Sequence, residues 1–240
     1  MNDIRRVDLF FFEESGVKAL TCHEKLLLDD TVSSTEMELR IPASSSSIVA
    51  IANSSREFND KALSRYDVLK QLEYEFTDDS PQMPLMTAEG CLDDGYAKLA
   101  LKPLMCTVSL VKVSNLMDDY ELLEEPRVRL RDMNMSVNPF QQSAFYPSVM
   151  LDAGEWLNLP HDVGYYPMEP DAKLYCYPNE TPENELGSHT SFEFECLIRG
   201  ERHTIYFELP PFGRESRVEV SLVVDGPGSY SRNVEVKDPS

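Results

Sequence analysis

The stretch SFEFECLIRGERHTIYFEL, residues 191–209, decides the fold class. Phe192, Phe194, Cys196 and Ile198 alternate with Ser191, Glu193, Glu195 and Leu197. That period of two is the pattern of a strand with one apolar face. Arg199-Gly200-Glu201-Arg202 reads as a hairpin connection, and Ile205, Phe207 and Leu209 as the return strand. Working outward toward the C-terminus, Val218, Val220, Leu222 and Val224 repeat the pattern, with Glu219 and Ser221 facing out. Asp225-Gly226-Pro227-Gly228 is a turn, and Val234 and Val236 lie on a last short strand. Upstream, Arg127-Val128-Arg129-Leu130-Arg131 places two apolar residues inward and three arginines outward. Strands with one wet face, joined by turns, predict an all-β antiparallel sandwich. No strict repeat of 20–50 residues is present, which disfavours solenoids and propellers.

The first half is less regular. In IRRVDLFFFE, Val7, Leu9 and Phe11 share one face, and Ser15-Gly16 marks a turn. MELRI (37–41) and SIVAIAN (47–53) read as a strand pair across a serine-rich link. In KALSRYDVLKQLEYEF (61–76), Leu63, Tyr66, Leu69 and Leu72 recur every three residues, which predicts an amphipathic helix. Asn59 or Asp60 would cap it. Residues 80–95 read as a loop, and strand character resumes over 96–114. Pro103 interrupts that run, since proline lacks a ladder donor. A domain boundary is expected there, giving domains 1–102 and 103–240.

Composition narrows the function. The 240 residues are 42% hydrophobic and 27% charged, enough for a true core. The net charge of −20 repels phosphate backbones and anionic lipid, so nucleic acid is not an expected partner. Five cysteines, Cys22, Cys91, Cys106, Cys176 and Cys196, form no C-x-x-C motif. Cys106, Cys176 and Cys196 sit in apolar runs and read as small buried hydrophobes. Met1 to Arg6 is not preceded by an apolar segment, which alone reads as cytosolic. A start directly in a strand instead fits a chain trimmed of an export signal.

Signatures of chemistry are missing from the sequence. It has no phosphate-cradling glycine loop, no G-x-S-x-G elbow and no zinc-ligand histidine spacing. The acidic pairs Asp29-Asp30, Asp78-Asp79, Asp93-Asp94 and Asp118-Asp119 lack the alternate spacing of a calcium loop and read as solvated turns. No cofactor, metal or catalytic residue is expected. With 42 acidic residues, a carboxylate pair for glycoside hydrolysis is not a discriminating feature. Trp156 and the Tyr165-Tyr166 pair are candidates for stacking on a sugar, against the plainer reading that they pack on the sheet.

Several landmarks occur in an order that resembles the fimbrillin superfamily of Bacteroidales pilus subunits. VDLFFFEESG (7–16) is similar to its early strand, and SIVAIAN (47–53) to its strand ending in Ala-Asn. MPLMT (83–87), VRLRDMN (128–134) and YCYPNE (175–180) are similar to later elements, the last with two residues exchanged. The C-terminal strands from Phe192 to Gly228 complete the series. The resemblance implies two tandem transthyretin-like β-sandwich domains with one or two short helices. It implies an exported lipoprotein, placed at the cell surface, outer membrane or fimbrium, that joins other pilus subunits by strand exchange and supports adhesion to surface receptors. In such assembly an N-terminal strand leaves a groove, here one containing Val7, Leu9 and Phe11. A neighbour's strand then enters it, and the candidate donor here carries Tyr230, Val234 and Val236. The lipoprotein signal itself is not in this chain, and Arg5-Arg6 reads as a surface pair rather than a processing site. The alternative from a different class is a cell-surface glycan-binding β-sandwich lipoprotein.

Overall fold

The computed structural model describes residues 4–14, 16–32, 34–117, 121–141, 143–185 and 187–238. Ser15 of the expected first turn and the Asp118-Asp119 pair lie outside them, as do the side chains of Asp29-Asp30. The chain forms two compact units: Met1–Met105 with Val137–Ser143, and Cys106–Ser136 with Ala144–Ser240.

The first unit holds β1 (Ile4–Glu13), β2 (Leu20–Val32), β3 (Ser45–Ala52), the helical turn α1 (Tyr66–Leu69), β4 (Tyr74–Glu75), β5 (Met86–Cys91) and β6 (Lys102–Pro103). Five strands make one sheet in the order β2-β1-β3-β5-β6. Pro103 thus sits on an edge strand, where a missing donor costs nothing. Both faces of this sheet are buried. Val7, Leu9, Phe11, Ile48, Ala50, Ala52 and Met86 lie on one face, covered by Leu39, Ile41, Leu92, Leu99 and Leu101. Phe10, Phe12, Val49 and Ile51 are fully buried on the other. Buried Leu63, Leu69, Tyr74 and Leu85 come from the segments between β3 and β5.

Three expectations fail in this unit. Residues 80–95, read as a loop, contain β5, which pairs with β3 and β6 and buries Met86 and Ala88. The helix over 61–76 shrinks to Tyr66–Leu69. The backbone there is used for pairing instead: Leu20 N–H donates to Ser64 O, Tyr66 N–H donates to Lys18 O, and Ala19 bridges Arg65. Groups consumed by a neighbouring strand cannot continue a helical ladder. MELRI (37–41) is not a strand. Leu39 and Ile41 do point the same way, but they pack on the sheet face without joining its ladder.

The second unit holds β7 (Cys106–Asn115), β8 (Glu124–Asn134), β9 (Ser136–Val137), β10 (Met150–Ala153), β11 (Leu157–Asn158), β12 (Ala172–Cys176), β13 (Ser191–Ile198), β14 (Glu201–Glu208), β15 (Arg217–Gly226) and β16 (Ser229–Lys237). Of these, β9 straddles the division, and its Val137 begins the segment that belongs to the first unit. Two four-stranded paths, β10-β8-β13-β14 and β12-β7-β15-β16, enclose the core, with β11 added to β8. Phe192, Phe194, Val128, Leu130, Val108, Leu110, Val218, Val220 and Leu222 fill it at 0–2% exposure. The hairpin between β13 and β14 turns on Arg199 (φ 55°) and Gly200 (φ 76°), the positive-φ pair that a two-residue connection requires. One pairing departs from the expected antiparallel pattern: β15 runs parallel to β7.

Outward residues of this unit are also covered. Glu193 and Glu195 are buried because Arg127, Arg129 and Arg202 reach across to them. Trp156 lies over the guanidinium groups of Arg127 and Arg129, with ring centroids 4.4 and 4.2 Å away. Cys106, Cys176 and Cys196 are buried free thiols, as their apolar context predicts.

Candidate functional site: the first and last strands

Strand β1 is an interior strand of its sheet, second from one edge. It pairs antiparallel with β2 on one side and with β3 on the other, Leu9 opposing both Glu24 and Ala50. Val7, Leu9 and Phe11 are buried at 6, 6 and 2% exposure on the face named from the sequence. The opposite face carries Asp8, Phe10 and Phe12, all at 0%. Alternation alone missed that second face. The signal was present in the unbroken run Leu9-Phe10-Phe11-Phe12, which marks a strand buried on both sides.

The second face is built around a buried charge. Asp8 accepts from Arg6 Nε at 2.7 Å, and His23 Nε2 lies 3.1 Å from Asp8 Oδ1. His23 Nδ1 lies 2.6 Å from Asp60, so the ring joins β1 to the segment after β3. Phe10 stacks on His23 with centroids 4.3 Å apart and meets Phe58 edge-on at 5.1 Å. Arg6 and Lys25 both donate to Glu57. The hydrogen bond from Lys25 is the main reason the Glu57 carboxyl titrates below its ordinary value. A buried carboxylate needs such partners, because an unpaired one is expelled or neutralised. Phe12 meets Tyr66 edge-on at 5.2 Å. Burial pushes the Tyr66 hydroxyl's pKa well up, and the Tyr74 hydroxyl to about 12.

Between β1 and β2 the connection is exposed at Gly16, Val17 and Lys18. Lys18 is its one basic residue and adopts φ 45°.

Strand β16 is the reverse case. Among the described residues it pairs with β15 alone and forms a sheet edge. Tyr230, Val234 and Val236 oppose Val224, Val220 and Val218. Tyr230 is exposed and the two valines are half-buried. Arg232, on the same face, lies 4.2 Å from the Phe207 ring. Ser229, Ser231, Asn233, Glu235 and Lys237 make up the other face, and all are exposed.

The aromatic candidates separate. Trp156 is committed to its two arginines, whereas Tyr165 and Tyr166 are 78 and 82% exposed, edge to face at 5.4 Å. Their turn is pinned on both flanks, by paired backbone bonds between Val163 and Leu123 and between Met168 and Val113.

No protein-family model matches this chain, and no curated protein matches it in sequence. Solved structures do share its fold. A protein named for cell adhesion from Parabacteroides distasonis ATCC 8503 superposes with a TM-score of 0.69 at 13% identity, over 97% of this chain and 87% of its own. Fimbrilin from Porphyromonas gingivalis W83 superposes at 0.66 with 11% identity, over 98 and 91%. A fimbrial assembly protein from Parabacteroides distasonis superposes at 0.55 with 12% identity, over 98 and 90%.

Proposed function

We propose that this chain, which has the fold of fimbrilin, is a non-catalytic structural subunit of a cell-surface fimbria, exported and joined to other subunits by strand addition. The likeness covers nearly the whole of both chains, so it concerns the full architecture rather than one shared module. The observation that carries the assembly reading is the contrast between its terminal strands. β1 fills a slot between two neighbours and is tethered through an exposed connection at Lys18. β16 lies on an edge, held from one side. A central strand that departs leaves a slot with free ladder groups on both sides, and strand addition refills it with main-chain bonds.

Immunogold electron microscopy of the native host tests the surface role. Label on filaments is the expected result, and label confined to the cytoplasm overturns it. Limited tryptic cleavage at Lys18 tests strand loss: the peptide ending at Lys18 should separate from the folded remainder only when a replacement strand is supplied.

A second reading, contact with neutral glycans, is favoured by Tyr165 and Tyr166. Rings this exposed add little to folding, and the pinned turn holds them ready. A glycan array on which no neutral sugar is retained, or on which Tyr165→Ala/Tyr166→Ala changes nothing, removes this reading.

A further inference from the structure

From the two faces of β1, we infer that its slot is not filled by β16 of a second copy, and that its occupant is a strand from a different protein, apolar on both faces. This rests on the strand-addition reading above and names the partner that the slot would take.

The two strands match in length, at ten and nine residues. They do not match in chemistry. One side of the slot is lined by Ile48, Ala50, Ala52 and Met86 and closed by half-buried Leu39 and Ile41. The other side places Phe10 between His23 and Phe58, and Phe12 against Tyr66. An occupant must therefore bury large apolar side chains on alternate positions of both faces.

β16 offers Tyr230, Val234 and Val236 on one face only. Its other face is Ser229, Ser231, Asn233, Glu235 and Lys237. Seat the valine face where Val7, Leu9 and Phe11 lie, and in every register the places of Phe10 and Phe12 receive serine, asparagine, glutamate or lysine. Seat it the other way, and those polar groups meet the cluster of Ile48, Ala50 and Met86, where they find no partner. The polar group already in the slot, Asp8, is satisfied by Arg6 from β1 itself and by His23. Asp8 and Arg6 both leave with the strand, and of this group only His23 stays in the slot. Burying unpaired polar groups in this way works against binding in either orientation. The chain is therefore a subunit that does not polymerise with itself through this strand, which suits a terminal position in a mixed filament better than a repeating one.

The test uses the full chain nicked at Lys18, in which β1 remains seated, and labelled synthetic peptides followed by fluorescence anisotropy. The peptide Ile4–Glu13 is expected to exchange into the slot. The peptide Ser229–Lys237 is expected to bind at least a hundred-fold more weakly. The same peptide with Ser231→Phe and Asn233→Phe, which restores two large rings at alternate positions, should recover most of the loss. Comparable exchange by the native Ser229–Lys237 peptide overturns the inference while leaving strand addition standing. Failure of all three peptides, Ile4–Glu13 included, overturns strand addition at β1 and this inference with it.

Discussion

The two units solve burial in different ways. In the second, two sheets cover each other, so each strand needs apolar residues on one face and shows plain alternation. In the first, one five-stranded sheet is buried on both faces by segments that are mostly not strands. Its central strands become continuously apolar, and its covering segments carry apolar residues at spacings that imitate other structures. Stability in the first unit should therefore depend on loops and short helical turns as much as on strands.

The sharpest way to break this comparison is to damage one unit alone. Phe10→Ala is expected to cost about 4 kcal/mol, because it empties a fully buried site that touches His23 and Phe58. Urea unfolding followed by hydrogen exchange should show the loss in the first unit, with amides of β13 and β15 protected as before. A second substitution tests whether the covering segment matters. Leu69→Ala, at a residue outside the sheet but fully buried, should cost about 3 kcal/mol. A loss below about 1 kcal/mol would mean that the cover is loosely packed, contrary to the comparison. Asp8→Ala should cost a similar amount, about 3 kcal/mol, by leaving Arg6 and His23 facing an empty place.

A smaller effect separates the units by pH. Burial pushes the Cys106 thiol in the second unit from 9.0 to about 12, and the Tyr74 hydroxyl in the first from 10.0 to about 12. Both groups are neutral in the fold and ionise more easily when unfolded. Their contribution is complete below the unfolded values and falls as pH rises toward 12. The second unit, with Cys106, Cys176 and Cys196 all pushed up by burial, should weaken more steeply from about pH 9 than the first, where Cys22 is the thiol shifted up, with roughly 2 kcal/mol lost to Cys106 by pH 10.5. Urea midpoints measured between pH 8 and 10.5 check this, and Cys106→Ala should make the fall shallower without abolishing it, because Cys176 and Cys196 remain. The least disruptive probe is thiol labelling at pH 8. Exposed Cys91 should react first and without loss of structure, while Cys106, Cys176 and Cys196 should react only on unfolding.

The same contrast explains what could be read from the sequence. β13, β14, β15 and β16 and the turns between them follow from alternation and glycine placement, because one face of each strand is apolar and the other polar. The turn at Asp93-Asp94-Gly95 was legible for a similar reason, with Asp94 and Gly95 both at positive φ. In the first unit, Leu63 and Leu69 are buried as a helix would bury them, yet residues 64–66 are claimed by the β1–β2 connection, a tertiary fact with no local trace. Leu39 and Ile41 alternate like strand residues but pack without a ladder. Of the candidate site, the face with Val7, Leu9 and Phe11 was visible, and so was the apolar face of β16. Phe10, Phe12 and the partners of Asp8 were not, because His23, Glu57 and Asp60 arrive from distant positions.

The parallel pairing of β7 with β15 bears on how the molecule is made. Thr107 lies beside Arg217, so the first strand of the second unit waits for a partner 110 residues later. At roughly 5–20 residues per second of synthesis, that delay is about 5–20 s. Pairings of such long range are slow to form, and until then one edge of β7 stays open to any other strand. β12 arrives earlier and protects only the opposite edge. The period of greatest risk of misassembly for this chain thus falls in its second unit, during the interval before Arg217–Gly226 is available.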